Sequence, residues 1–187
     1  MLLALALALA AGAPAVSSAV YAVTRIGSDL ADDQVVGTRR AGMMCLPAGT
    51  LRWSDVATGS GMDQREVVQD VIEDAGVAVT PLGESTSAGG DRHVLRLRGV
   101  VRAARFDLCA RRWLGDKKAL SGETALTIEW RAESRAAAAS ELKHVSTITR
   151  PVDARHAAPA AALYRALLRD AARDLARWLN DRDPPER

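Results

Sequence analysis

Two cysteines, Cys45 and Cys109, stand downstream of an apolar run that opens the chain, and together they constrain the fold more than any other feature. Met1 to Ala11 (MLLALALALAA) is uninterrupted apolar sequence, followed by Gly12, Pro14 and the small residues Ala15 to Ala19. An apolar stretch of this length ahead of small residues has the form of a secretory signal, with cleavage sites after Ala19 and after Ala22. Up to Pro14 it is too short for the ~20 residues that cross a bilayer. A retained signal-anchor and a buried core helix are the alternative readings of residues 1–22. No Lys or Arg precedes the run, which points to a natural start upstream of Met1. No cysteine follows it closely, so lipid modification is not indicated. An exported chain meets an oxidising compartment, where two cysteines pair more often than they bind metal or react. In the chain-entropy model a bridge closing a loop of ~65 residues contributes roughly 4 kcal/mol. Two separate buried thiols and a reactive pair are the other options.

The sequence beyond the signal suits one domain, expected over 43–180, with 23–42 a linker or lead segment and 181–187 a flexible tail. Gly27, Asp29, Asp32, Asp33, Gly37, Arg39 and Arg40 interrupt residues 23–42 and leave no sustained periodicity. Leu51, Trp53 and Val56 are spaced for a short strand. Asp63 and Glu66 have capping-box spacing ahead of a helix whose apolar face is Val67, Val68, Val71, Ile72 and Ala75, closed by Gly76. Val77–Thr80 reads as a short strand and 81–90 as a loop. From His93 to Leu108 the chain alternates, but its parity changes after Gly99, which predicts a bulge there. Thr124–Ala132 alternates with Leu126, Ile128 and Trp130 inward, and Leu142–Thr149 is a third β-prone run. Residues 113–122 form a charged connection, and 134–140 an alanine-rich turn or frayed helix. Pro159 opens a long helix with Tyr164, Leu167, Leu168, Ala171, Leu175, Trp178 and Leu179 in one stripe. The expected fold is α+β: a mostly antiparallel sheet with two main helices packed on one face.

Catalytic and metal-binding patterns are not found. The chain has no G-x-S-x-G elbow, and its three histidines, His93, His144 and His156, stand in no pattern that suggests a triad. C-x-x-C, H-E-x-x-H, EF-hand and P-loop spacings are missing, and Asp29, Asp32 and Asp33 read as a solvated acidic turn. No cofactor or metal is therefore expected, and the chain reads as a non-enzyme. A formal net charge of +2 gives little pull toward nucleic acid. Arginines crowd the central β region, however, and Arg96, Arg98, Arg111 and Arg112 are candidate contacts together with Trp53 and Trp113. A solvated sheet face is the favoured reading of these basic residues. A polyanion-, glycan- or small-ligand-binding face is the alternative.

Cys45-Leu46-Pro47-Ala48-Gly49-Thr50-Leu51-Arg52-Trp53, then Arg105-Phe106-Asp107-Leu108-Cys109, then Gly122-Glu123 leading into Ile128-Glu129-Trp130, resemble a domain of exported bacterial proteins that in some chains precedes a trypsin-like protease domain. The element order is more loosely similar to periplasmic α/β modules of the CsgG and TolB N-terminal type. The resemblance implies a cysteine-bridged periplasmic module that docks other proteins, with an accessory role beside an envelope protease as a further alternative. The chain is accordingly expected to be exported, either free in the periplasm or anchored in the inner membrane through residues 1–22. Its expected partner is an envelope protein, with membrane contact only through a retained N-terminal segment.

Overall fold

The structure, a computed structural model, describes residues 19–57, 61–81, 94–112, 118–134, 141–154 and 158–182. Its strands are β1 (Val20–Ser28), β2 (Val35–Ala41), β3 (Leu46–Arg52), β4 (Val94–Arg112), β5 (Lys118–Ser134) and β6 (Leu142–Ala154). The helices are α1 (Trp53–Val56), α2 (Gly61–Asp74) and α3 (Ala160–Arg182). The strands form one sheet in the order β3-β2-β4-β5-β6, with β1 also paired to β4. β2–β3, β4–β5 and β5–β6 are antiparallel, whereas β1 and β2 both run parallel to β4. The fold is α+β, with the helices on one face of a mixed, mostly antiparallel sheet.

β4 organises the rest. At 19 residues it is long enough for two strands to share one of its edges: β1 pairs with Val94–Val101 and β2 with Phe106–Ala110. Residues 23–42 are thus structural strands and not a linker, and the domain begins by Val20. The buried run Tyr21, Ala22, Val23 and Ile26 straddles the expected signal boundary, so the strand was cut in two by that reading. β2 buries only Val36 on its inner side, and its remaining stability comes from pairing on both sides.

The predicted bulge exists but lies at Arg102, where the β4–β5 register shifts between Val101 and Ala103. Gly99 serves a different purpose: a Cβ there would lie 2.6 Å from the Trp130 ring, so glycine makes room for that indole. Residues 53–56 form a helical turn and not a strand. The Asp55 carboxylate accepts from the Arg52 N–H at 3.0 Å, which satisfies an amide at the turn's start. Gly76 ends α2 in the left-handed region (φ 83°), as its position predicts. Residues 77–80 contribute a single parallel bridge, Val79 to Tyr21.

The core is a layer of Leu97, Val101, Phe106, Leu126, Ile128 and Trp130 from the sheet against Tyr164, Leu167, Leu168, Ala171, Leu175 and Leu179 of α3. α2 and α3 run in the same direction. Tyr164 donates to Gln64 Oε1 at 3.2 Å near their starts, and Asn180 donates to the Ala75 carbonyl at 3.0 Å near their ends. Burial pushes the Tyr164 phenol well above its ordinary range. Among the described residues no helix is long and apolar enough to cross a membrane.

Candidate functional site

The sheet face away from the helices carries the arginines. Asp29, Arg102, Glu129, Arg131, Glu141 and Lys143 form one continuous series of ion pairs across β4, β5 and their neighbours. Arg98 pairs with Glu133, and Arg105 with Asp107 and Glu123. The hydrogen bond from Arg105 holds the Asp107 carboxyl below its ordinary range, and that from Arg131 does the same for Glu129. Most of the positive charge is therefore already balanced by cross-strand carboxylates, and a polyanion would have to compete with them. Arg96 is exposed on this face.

The expected contact residues do not form one site. Trp53 is buried beneath the helices, edge-on to Tyr164 at 5.3 Å between ring centroids, so it is a core anchor and not a contact residue. Arg98 and Arg111 lie roughly 40 Å apart along β4, at ~3.3 Å per residue. Trp113 and the side chain of Arg112 lie outside the described residues, as do His93 and His156.

His144 gathers the most concentrated polar cluster. Its Nε2 lies 2.9 Å from Asp174 Oδ2 on α3, and Ser146 Oγ donates to the same oxygen at 2.8 Å. Trp130 Nε1 donates to Ser146 Oγ at 3.0 Å, and the His144 ring stacks on Trp178 at 4.9 Å. Nucleophilic catalysis needs the imidazole between hydroxyl and carboxylate. Here the carboxylate sits between the other two, and the Ser146 hydroxyl is buried with its proton directed at Asp174. The arrangement locks α3 onto β6. Burial raises the Asp174 carboxyl, but hydrogen bonds from His144 and Ser146 and the charges of His144 and Arg177 outweigh it and leave it below the ordinary range.

A carboxyl lowered on folding stabilises the protein above its unfolded pKa of about 3.9 and loses that contribution as pH falls through the lowered value. Asp174→Ala is expected to cost about 1–3 kcal/mol at neutral pH, because it removes the carboxylate shared by His144 and Ser146 and leaves the Ser146 hydroxyl only the Ala171 carbonyl, at 3.4 Å, as acceptor. The gap to the parent in urea unfolding should begin to narrow as pH falls below the unfolded value of about 3.9 and close as it passes through the lowered folded value. A gap constant from neutral pH to pH 2 contradicts the carboxylate's role.

Cys45 and Cys109 are bridged, with Cα atoms 5.5 Å apart. The bridge ties the turn of the β2–β3 hairpin to β4. Cys45 takes a left-handed backbone (φ 50°), and its N–H closes the turn on the Gly42 carbonyl at 3.2 Å. The hairpin end is the most exposed apolar part of the described surface: Met43 is 83% exposed, Met44 81% and Leu46 65%. Beneath the hairpin a groove of about 310 Å³ is lined by Ala41, Ala48, Leu51, Leu108, Ala110 and Pro159, with Arg39 and Arg40 at its rim. A second cleft, of about 320 Å³, lies between α2 and α3, with Asp63, Glu66 and Asp70 on one side and Arg165 and Arg169 on the other. Among the described residues no three His, Cys, Asp or Glu side chains gather as metal ligands. Met43 and Met44 are not the opening of the domain but its exposed hairpin tip.

No family model matches the chain, and no curated protein does. Among solved structures, one described only as an uncharacterized protein has a TM-score of 0.50 at 10% identity, covering 88% of this chain and 94% of that one. This likeness shows a shared fold and nothing more. A Xanthomonas campestris protein of the family DUF330 has a TM-score of 0.48 at 16% identity, covering 91% and 92% of the two chains. A PelC dodecamer from Paraburkholderia phytofirmans has a TM-score of 0.39 at 10% identity, covering 86% and 88%. These two likenesses are too distant to carry a functional argument, and none of the three bears on a link to CsgG, TolB or proteolysis.

Proposed function

We propose that this chain is an exported, non-catalytic module of the cell envelope that docks a protein partner along the free edge of β6. The observation that carries this reading is the edge itself. β6 runs for 13 residues at the end of the sheet order, with no strand on its far side among the described residues and Val145 55% exposed. An open strand edge offers unpaired main-chain donors and acceptors, to which an extended segment of a partner can add as a further strand. Lys143, Arg150 and Pro151 are residues that discourage indiscriminate pairing of such an edge and leave room for a specific one.

The apolar opening segment and the bridge support export to an oxidising compartment. Release after Ala19 fits the fold better than release after Ala22. The later cut would remove Tyr21, whose N–H bonds the Ala78 carbonyl at 2.9 Å and whose carbonyl accepts from the Thr80 N–H at 3.0 Å. An accessory role beside an envelope protease would use the same edge, and the identity of the partner separates the two. Polyanion binding by the open face is the weaker reading, because its arginines already hold carboxylates.

Photo-crosslinkers placed at Val145 and Thr147 in living cells should each join the chain to the same discrete protein. One at Ala103, exposed in the middle of the sheet, should not. Absence of a crosslink from β6, or an identical pattern from Ala103, overturns the edge as the docking site.

A further inference from the structure

We infer that the tip of the β2–β3 hairpin is a contact site for a bilayer surface carrying anionic lipid headgroups. Ala41 to Leu51 is a stretch of 11 residues without a charged side chain, and Met43, Met44 and Leu46 project from it into solvent. Leaving three large apolar side chains in water costs free energy that no contact among the described residues recovers, so such a tip marks a place where something else covers it. The charge around it states what. Between Asp33 and Asp55 the chain holds 21 residues with no Asp or Glu, and Arg39 and Arg40 precede the tip, whereas Arg52 pairs with Val35 at the base of the hairpin, about 20 Å from the tip at ~3.3 Å per residue. Arg111, at the adjoining end of β4, adds a third exposed guanidinium at the tip. Asp153 of β6 is an exposed carboxylate at the same end of the sheet.

An apolar tip with a basic collar is the pattern by which a protein dips into the headgroup region of an anionic membrane, combining burial of a few side chains with attraction to the surface potential. The bridge suits this task. It fixes a short hairpin, uncharged from Ala41 to Leu51, to the longest strand of the sheet, so the tip is presented without the entropy loss of ordering a free loop on contact. The apolar groove under the hairpin, with Arg39 and Arg40 at its rim, continues the apolar surface inward from the tip.

Topology separates this contact from any anchoring by the chain's start. β1 begins opposite Val94 and the tip follows Ala41, opposite Ala110. The two ends therefore lie about 50 Å apart along β4, at ~3.3 Å per residue. The inference rests on the export reading only for a bilayer being within reach, and not on the docking edge of β6.

The test uses the exported protein, recovered with its natural amino terminus, and vesicles of phosphatidylcholine with or without phosphatidylglycerol. Two readouts are needed: flotation, and the emission of an environment-sensitive fluorophore incorporated at position 44 or 145. The expected result is binding that requires phosphatidylglycerol, weakens about fivefold for each of Arg39→Gln and Arg40→Gln, and falls about tenfold or more in Met43→Ser/Met44→Ser. The label at 44 should shift to the blue on binding and the label at 145 should not. Val145→Ser, which removes an exposed apolar residue elsewhere, should bind like the parent. Because Met43 and Met44 are exposed, their replacement should leave the thermal midpoint unchanged, so loss of binding cannot be loss of fold. Failure to bind anionic vesicles, equal binding by parent and tip variants, or a label at 44 that stays in water on bound protein overturns the inference. So does protection of the tip by an envelope protein alone. In each of those cases crosslinking from β6 is unaffected, so this failure is distinguishable from failure of the docking reading.

Discussion

Replacing both cysteines, Cys45→Ser with Cys109→Ser, is expected to lower the unfolding free energy by about 4 kcal/mol, or the midpoint of thermal unfolding by roughly 10 °C. The two residues are 64 positions apart, so the bridge removes a large loop's worth of freedom from the unfolded chain. The folded state also has a specific need for it. β2 meets β4 through only five register pairs, Gly37 to Ala41 with Phe106 to Ala110, and β3 beyond it is exposed along Leu46 to Thr50. Without the bridge the hairpin end is held to β4 by those pairs, the Gly42 N–H to the Ala110 carbonyl at 3.1 Å and the Thr38 hydroxyl to Asp107 at 3.0 Å, while only Val36 and Leu51 at its base reach the core. Hydrogen exchange should therefore show loss of protection at Arg39–Ala41 ahead of β5, whose amides pair on both sides. The double variant is the informative one, since a single replacement leaves an unpaired thiol that can form wrong bridges. Urea unfolding of the oxidised parent against the double variant measures the effect. A difference below about 1 kcal/mol contradicts a structural role for the bridge.

Gly37→Ala is expected to cost about 3 kcal/mol, the upper end for overpacking, and to reduce the yield of folded protein. A Cβ at residue 37 would lie 2.0 Å from the Phe106 carbonyl oxygen and 2.6 Å from its carbon. Those are main-chain atoms of the central strand, which cannot swing aside as a side chain can. β2 must either retreat from β4, breaking the parallel pairing, or push β4 against β5. Gly27, in the neighbouring strand β1, supplies the comparison. A Cβ there meets only the Arg25 Nε, at 3.6 Å, so Gly27→Ala should stay within about 1 kcal/mol of the parent. Chemical denaturation of the pair decides the matter, and equal costs at the two positions would mean that close approach of β2 to β4 is not what fixes Gly37.

The elements legible in the sequence are those whose periodicity is long and whose partner is a broad apolar surface. The stripe of α3 from Tyr164 to Leu179 and the alternation of β5 around Trp130 need no knowledge of neighbours, and both are buried as their spacing predicts except for Trp178, which is half-buried against His144. The pairing of Cys45 with Cys109 followed from compartment alone. What was not legible depends on tertiary partners. β1 begins directly after the small residues that close the signal-like opening, and β2 has few apolar residues because its stability lies in pairing with β3 and β4. Trp53 and Val56 have the i, i+3 spacing of a helical turn, but one turn is too short to outweigh the Leu51–Trp53 alternation beside it. Gly99 looked like a bulge because its real neighbour, the Trp130 ring, arrives from the next strand.

The candidate sites divide in the same way. The arginines of β4 could be counted in the sequence, but their carboxylate partners Glu129 and Glu133 became partners only through the β4–β5 register. The His144 cluster likewise joins residues 30 positions apart, through α3 folding back on β6. The hairpin tip did leave a signal: an acid-free stretch from Gln34 to Ser54 with arginines flanking an uncharged centre. Nothing in the order of residues alone says that Met43 and Met44 face water and not the core. That follows from the turn at Gly42–Cys45 standing clear of the helices.

The most direct measurement on the central claim, that this chain is exported and stapled, is the intact mass of the protein isolated from cells with its thiols blocked at lysis. The expected result is a single species that begins at Val20, takes up no blocking reagent at Cys45 or Cys109, and gains two hydrogens on reduction. A species that keeps residues 1–19 and carries blocking reagent on both cysteines would contradict it.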